Sequence, residues 1–168
     1  MDNSQKNDNE SKCVLALYEE CAKGQYTRIR KLLEDECFSK GTLDVAIRRC
    51  MRNSKRERTE YHDSISLLLE FVDVNHKNPN EDYSTIIMIA CSRGDVSLVD
   101  LVINTDYSTH QMYKNQKVDL RIRDNNNRNF LHYLINKDNQ EEDAIEVFEY
   151  FVNGYNQRSI TGVVISYP

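Results

Sequence analysis

Residues 84–104 read STIIMIACSRGDVSLVDLVIN, and their apolar pattern is the strongest structural signal in the chain. Apolar residues recur at intervals of three and four, which is the spacing of one face of an α-helix. Gly94 interrupts this pattern and favours a turn. Small residues before Gly94 allow close helix packing, and larger apolar residues after it give a second helix its inward face. We therefore predict a helix–turn–helix hairpin with the inward positions Ile87, Ile89, Ala90, Leu98, Leu101 and Val102.

The same stretch resembles an ankyrin repeat. Thr85 and Ile87 stand where the family consensus has the Thr and Leu of its TPLH motif, Ala90 matches the helical Ala, and Gly94 matches the Gly between the helices. Just upstream, residues 64–78 read SISLLLEFVDVNHKN and resemble the end of a preceding repeat. Because order, spacing and residue size agree together, the resemblance implies that such units stack into an array.

Another repeat is predicted downstream. Residues 118–138 resemble a hairpin and a first helix, with Asp124 at the leading Asp and residues 129–132 in place of TPLH. Asn127 occupies a position where Gly is usual, and Asn tolerates the left-handed backbone that this turn requires. Residues 144–153 read AIEVFEYFVN and fit the second helix.

The N-terminal part resembles two further repeats. Residues 17–35 resemble a capping repeat, and residues 41–51 fit a first helix that an inserted polar loop follows. The predicted fold is an all-α ankyrin-repeat solenoid of stacked helix-turn-helix units with short β-hairpin-like connections. We expect a disordered tail over residues 1–12, an ankyrin-repeat domain over 13–154 (repeats at about 13–38, 39–75, 76–117 and 118–154), and a C-terminal cap or partial repeat over 155–168.

The composition favours one globular unit. The chain has 168 residues, of which 39% are hydrophobic and 29% charged, so it is long enough for one domain or one short repeat array. A net charge of -5 disfavours a protein that holds nucleic acid by bulk charge. Five cysteines without a CxxC pair give no zinc signature. We expect reduced thiols and a soluble protein of the cytoplasm or nucleus, without a cofactor or a membrane span.

The sequence offers little for catalysis. It contains no GxSxG, P-loop, HExxH or GxGxxG motif, and its four histidines are scattered. His132 stands at the TPLH position, where the resemblance implies a structural histidine that bonds to the backbone of a neighbouring hairpin. Cys91 occupies a small buried position, where a thiol is unreactive. We therefore expect no enzyme. A small helical hydrolase or transferase that uses Cys91 or His132 is the alternative from another functional class.

The resemblance implies that partner-contacting residues lie in the hairpins and just before the Gly between the helices. A cation stands at one such position in every predicted repeat, so repeats stacked in register predict a basic column. Such a column suits an acidic or phosphorylated partner segment, because guanidinium groups pair with carboxylates and phosphates. The amphipathic rings of Tyr83 and Tyr133 are candidate anchors for the partner. The predicted partner-binding residues are Lys23, Arg48, Arg49, Arg93, Lys137, Arg123, Arg128 and Tyr133.

A simpler interpretation of the column remains open. Cations in the last turn of a helix complement its dipole by about 0.3–1 kcal/mol whatever the protein binds. Similarly, the basic run over residues 48–58 fits a nuclear-import signal, a nucleic-acid contact or an ordinary solvated loop.

Repeat arrays present one long open surface, so we expect this protein to bind another protein. A narrower alternative is a virus- or pathogen-type inhibitor resembling the ankyrin inhibitors of Rel/NF-kappa-B transcription factors. Self-association through exposed apolar end faces is also compatible with a short array.

Overall fold

A computed structural model describes residues 3–54, 59–107, 113, 116–135 and 141–154. These residues are mostly helical, which confirms the predicted all-α class. Extended pairing in this part of the chain is limited to one antiparallel bridge between Asn78 and Ser84. In the described residues, no helix is both long and apolar enough to span a bilayer.

Eight α-helices follow one another in the described part of the chain, and a short π-helical segment extends the last of them. Their bounds are α1 Asn3–Lys23, α2 Tyr26–Asp35, α3 Lys40–Asn53, α4 Thr59–Leu69, α5 Ile86–Ser92, α6 Val96–Asn104, α7 Phe130–Leu134 and α8 Glu141–Glu149, with the π-helix Tyr150–Gly154. The helices fall into four consecutive pairs, α1 with α2, α3 with α4, α5 with α6 and α7 with α8, and the first pair begins before residue 13.

The helices stack in two layers. The first helices form one layer, in which α1 packs on α3, α3 on α5 and α5 on α7. The second helices form the other, in which α2 packs on α4, α4 on α6 and α6 on α8. One continuous hydrophobic core lies between the layers, and in α5 every residue from Ile86 to Cys91 is buried. Each repeat therefore gains its burial from its sequence neighbours, as a solenoid requires.

The N-terminus differs from our expectation. We predicted a loose tail over residues 1–12, whereas α1 begins at Asn3. The polar residues cannot bury much surface themselves, but they precede a helix anchored by the buried Leu17 and Cys21. Once a helix is nucleated, each added residue costs little, so the anchored segment extends through the polar residues before it.

Left-handed residues form the turns at the predicted positions Gly94 and Asn127 and also at Gly24. Gly24, Gly94 and Asn127 have φ of 68°, 61° and 59°. The prediction that Asn127 replaces a turn glycine is thus confirmed. Beside Gly24 the ring of Tyr61 comes within 2.9 Å of where a Cβ would stand, so glycine is required there for space as well as for backbone conformation.

Candidate binding surface

The predicted basic column is not fully in register. Lys23 is the last residue of α1, and Arg93 follows α5 as its C-cap. Arg49, by contrast, lies four residues before α3 ends at Asn53. Because no glycine marks the end of α3, the resemblance to the repeat pattern predicted the end of this helix too early in the sequence. Arg49 is therefore offset from the predicted register by about one helical turn, roughly 5.4 Å along the axis.

Arg48 does not belong to the surface. We predicted that it extends the basic column, but its side chain is fully buried. Its Nε donates to Asp44 Oδ2 at 2.8 Å, and its Nη1 donates to Glu81 Oε2 and Ser84 Oγ, both at 3.1 Å. Its Nη2 donates to the carbonyl oxygens of His76 at 3.3 Å and Ser84 at 2.9 Å. All five N–H donors of the guanidinium thus have acceptors inside the protein.

The Arg48 network holds the long hairpin of residues 78–83 against α3. Asp44 Oδ2 also accepts from the Asn78 amide at 2.7 Å, and Arg52 binds both carboxylate oxygens of Glu81 at 2.8 and 2.6 Å. This network was not predicted from the sequence. The spacing of four between Asp44 and Arg48 was the available signal, since it places an acid and a base on one helix face.

Three of the described arginines make no ion pair with a carboxylate in the described part of the chain. Arg49 lies with its guanidinium carbon 4.6 Å from the centre of the Tyr18 ring. Arg93 Nη2 donates to the carbonyl of Ser54 at 2.9 Å, and Arg123 Nη1 donates to that of Asn127 at 2.9 Å. All three side chains are exposed. The arginines that pair with carboxylates are Arg28, Arg30, Arg48, Arg52, Arg121 and Arg128.

The other predicted cations differ from these three. Lys23 Nζ lies 3.9 Å from Glu19 and 3.7 Å from Glu20, so carboxylates of its own helix partly neutralise it. Lys137 lies outside the described residues. Arg49 and Arg93 are therefore the two described cations of the predicted column that no carboxylate of the described residues neutralises.

Arg128 and Tyr133 belong to the structure of the last hairpin. Arg128 Nε and the Tyr133 hydroxyl donate to the same oxygen of Asp124, at 2.7 and 2.8 Å. Burial, together with the hydrogen bond to Asp124, raises the pKa of Tyr133 to about 12. Burial alone would raise the pKa of Asp124, but hydrogen bonds from Arg128, Tyr133 and Asn126 outweigh it and lower that pKa. Arg128 and Tyr133, both predicted to contact a partner protein, thus have hydrogen-bond partners within their own repeat.

Of the two tyrosines predicted as anchors, Tyr83 is more accessible to solvent than Tyr133. It is 42% exposed, and Lys77 Nζ lies 5.7 Å from its ring centre. Tyr83 is the last residue of the hairpin, directly before the bridge between Asn78 and Ser84 that closes it.

The residues of the alternative catalytic hypothesis serve structural roles. Cys91 is fully buried, and burial raises the pKa of its thiol. His132 Nδ1 lies 2.7 Å from Asn129 Oδ1 and accepts from the Asn129 backbone N–H at 3.3 Å. We expected this histidine to bond to a neighbouring hairpin, but it caps the first turn of its own helix. Nowhere in the described ranges do three His, Cys, Asp or Glu residues come together in a metal-binding arrangement.

Comparison with known proteins agrees with this architecture. A family model described as ankyrin repeats (three copies) matches residues 57–159, which is more than half of the chain. A search of curated proteins gave no match. Ankyrin repeats generally mediate protein–protein interaction, and proteins built from them are typically non-enzymatic. On the stacked helix pairs, the left-handed turns and this match together, the chain belongs to the ankyrin-repeat family.

Proposed function

We propose that this protein is a non-enzymatic interaction module that binds an acidic segment of a partner protein along its first-helix layer, at Arg49 and Arg93. One observation carries the proposal. These two arginines are exposed on neighbouring first helices and make no ion pair with any carboxylate in the described residues. In a chain of net charge -5, such unpaired cations form a local site for anionic groups.

Both guanidinium groups are already held in place. The Tyr18 ring supports Arg49, and the Ser54 carbonyl orients Arg93. Ordering a free arginine on binding costs about 0.5–1.5 kcal/mol, and a side chain that is already oriented avoids much of that cost. The remaining N–H donors are available to carboxylate oxygens, which guanidinium groups bind in pairs.

The helix-dipole interpretation accounts for only one of the two residues. Arg93 lies at the C-cap of α5, where a cation complements the dipole. Arg49 lies a full turn before the end of α3, and the dipole effect falls off within the last turn. Support for partner binding is therefore strongest at Arg49.

The test is quantitative affinity purification with the Arg49→Glu/Arg93→Glu double variant. We expect partners that the wild-type chain retains to be lost, while circular dichroism shows the same helical content. The melting temperature should fall by only about 2–4 °C, because Arg93→Glu removes the hydrogen bond to Ser54 and the cation at the end of α5. Arg30→Glu/Arg121→Glu is the matched control, because it reverses the same number of exposed charges elsewhere. If the double variant retains the same partners as the control, the proposal is wrong.

We place this function in a reducing compartment, the cytoplasm or the nucleus. None of the five cysteines is in a disulfide bond, and Cys21, Cys50 and Cys91 are buried in the core. Cysteines that form no disulfide are typical of proteins from such compartments. Fluorescence microscopy of the tagged chain tests this assignment.

A further inference from the structure

Tyr83 adopts an unusual backbone conformation. Asp82 and Tyr83 have φ of 52° and 59°, so two consecutive residues other than glycine lie in the left-handed region. For a bulky residue this conformation is a genuine outlier, and it costs about 1–3 kcal/mol per residue. Such strain persists only where the surrounding structure imposes it.

Contacts on both sides of Tyr83 impose this conformation. The Tyr83 N–H donates to the Asn78 carbonyl at 2.9 Å, and the Asp82 carbonyl accepts from Asn125 N–H in the next hairpin, also at 2.9 Å. Ser84, the following residue, receives two hydrogen bonds from the buried Arg48. Hydrogen bonds thus hold the hairpin at Asp82, at Tyr83 and at Ser84, the residue that follows it.

The strained turn presents the Tyr83 ring to solvent. Its hydroxyl has no hydrogen-bond partner in the described part of the chain, and the Lys77 ammonium near the ring pairs with no carboxylate there. Four of the other described tyrosines donate a hydrogen bond within the protein, namely Tyr61, Tyr107, Tyr133 and Tyr150. Tyr83 therefore combines a fixed backbone, an open ring face and an unpaired cation.

We propose that Tyr83 and Lys77 form an anchor that binds an apolar side chain next to a carboxylate in the acidic partner segment. This inference rests on the proposed function and adds the apolar half of the partner's recognition sequence. A tyrosine held in one position buries a large ring at little entropic cost, which is why such residues dominate binding interfaces. The carboxylate pairs with Lys77, while the apolar group covers the free ring face.

The backbone strain supplies a sharp test. Tyr83→Gly removes the ring and also relieves the left-handed strain, because glycine has no Cβ. We expect a melting temperature that is unchanged or higher, together with weaker binding. A loss of binding in a variant at least as stable as the wild type is not a folding defect.

The probes are short synthetic peptides selected by display of a random library on the intact protein, with affinity measured by fluorescence polarisation. We expect the selected peptides to contain an aromatic or aliphatic residue beside Asp or Glu. Tyr83→Gly should weaken their binding about tenfold or more. Lys77→Gln should weaken it less and reduce its dependence on salt. Tyr83→Phe, which keeps the ring, should bind within about threefold of the wild type.

The outcomes separate the two proposals. If Tyr83→Gly binds the selected peptides like the wild type while Arg49→Glu/Arg93→Glu does not, the anchor is wrong and the proposed function stands. If neither variant loses affinity, both are wrong. If the selected peptides lack acidic residues, or if only phosphorylated versions bind, the assigned partner chemistry is overturned.

Discussion

Arg48 shows how one side chain fixes the geometry of a repeat. The Arg48 guanidinium is buried, and two carboxylates, a hydroxyl and two carbonyl oxygens accept hydrogen bonds from its five N–H groups. A buried arginine in this position links α3 to the hairpin of the next repeat. Removing one partner from such a cluster leaves charges in the interior without compensation.

Arg48→Met should therefore lower the free energy of unfolding by about 3–5 kcal/mol. Adding Asp44→Asn should recover part of this loss, because it removes the carboxylate left unpaired. Urea denaturation monitored by circular dichroism measures both values. Arg49→Met is the matched control, and we expect it to cost less than about 1 kcal/mol, since Arg49 is exposed and loses only its contact with Tyr18. Equal losses at the two positions would contradict this account.

Gly24 carries two constraints in one residue. A Cβ there would meet the Tyr61 ring at 2.9 Å, and φ is 68°. Gly24→Ala should therefore cost about 2–4 kcal/mol by denaturation, because it adds left-handed strain to overpacking. Gly41→Ala in α3 is the control, since the nearest neighbour of its Cβ is Ser39 Oγ at 3.9 Å. We expect that variant to be neutral or stabilised by up to about 1 kcal/mol. A neutral Gly24→Ala would show that Tyr61 moves aside.

At the scale of elements, the hairpins are fixed by side chains because extended pairing is so short. The hairpin before α5 depends on Arg48, whereas the hairpin before α7 depends on Asp124. Asp124 accepts from the backbone N–H groups of Asn126 and Arg128, both at 2.8 Å. The hairpin before α5 is thus held by a cation from the preceding repeat, whereas the hairpin before α7 is held by an anion of its own.

Stability should depend on pH through Asp124. Its pKa is lower in the folded protein, so its contribution is fully present above the unfolded value of about 3.9 and is lost as the pH falls through the lower folded pKa. Asp124→Asn should cost about 1–3 kcal/mol at neutral pH, through weakened hydrogen bonds. Its unfolding free energy should also fall less steeply than that of the wild type below about pH 4. Parallel pH profiles of the two proteins, measured by urea denaturation, would contradict this role.

At the scale of the whole molecule, burial is uneven along the stack. Six consecutive residues of α5 are buried, whereas α7 buries Leu134 and α8 buries Val147. In a linear array, the total stability is the sum of the intrinsic stability of each repeat and the stability contributed by each interface between neighbouring repeats. The C-terminal end, which buries few side chains, should therefore open first.

Native-state hydrogen exchange should show this order. We expect the slowest amides in α3 and α5, and faster exchange in α7 and α8 under conditions where the core stays closed. Leu134→Ala should speed exchange in α7 and α8 more than in α1 and α3, because α7 packs on α5 and α8 but not on the N-terminal repeats. A uniform increase from α1 to α8 would indicate that the whole chain opens as one unit.

The sequence by itself determined the helix pairs, the turn positions at Gly94 and Asn127, and the family. These features depend on apolar spacing and on local backbone preference, which are properties of neighbouring residues. Only the tertiary structure decided which cations reach the surface. Arg48 and Arg49 are adjacent and chemically identical, yet one is enclosed by Asp44 and Glu81 while the other lies open over Tyr18. The physical reason is that the charge balance of a side chain is set by partners from other repeats, and Glu81 reaches Arg48 only after the repeats have stacked.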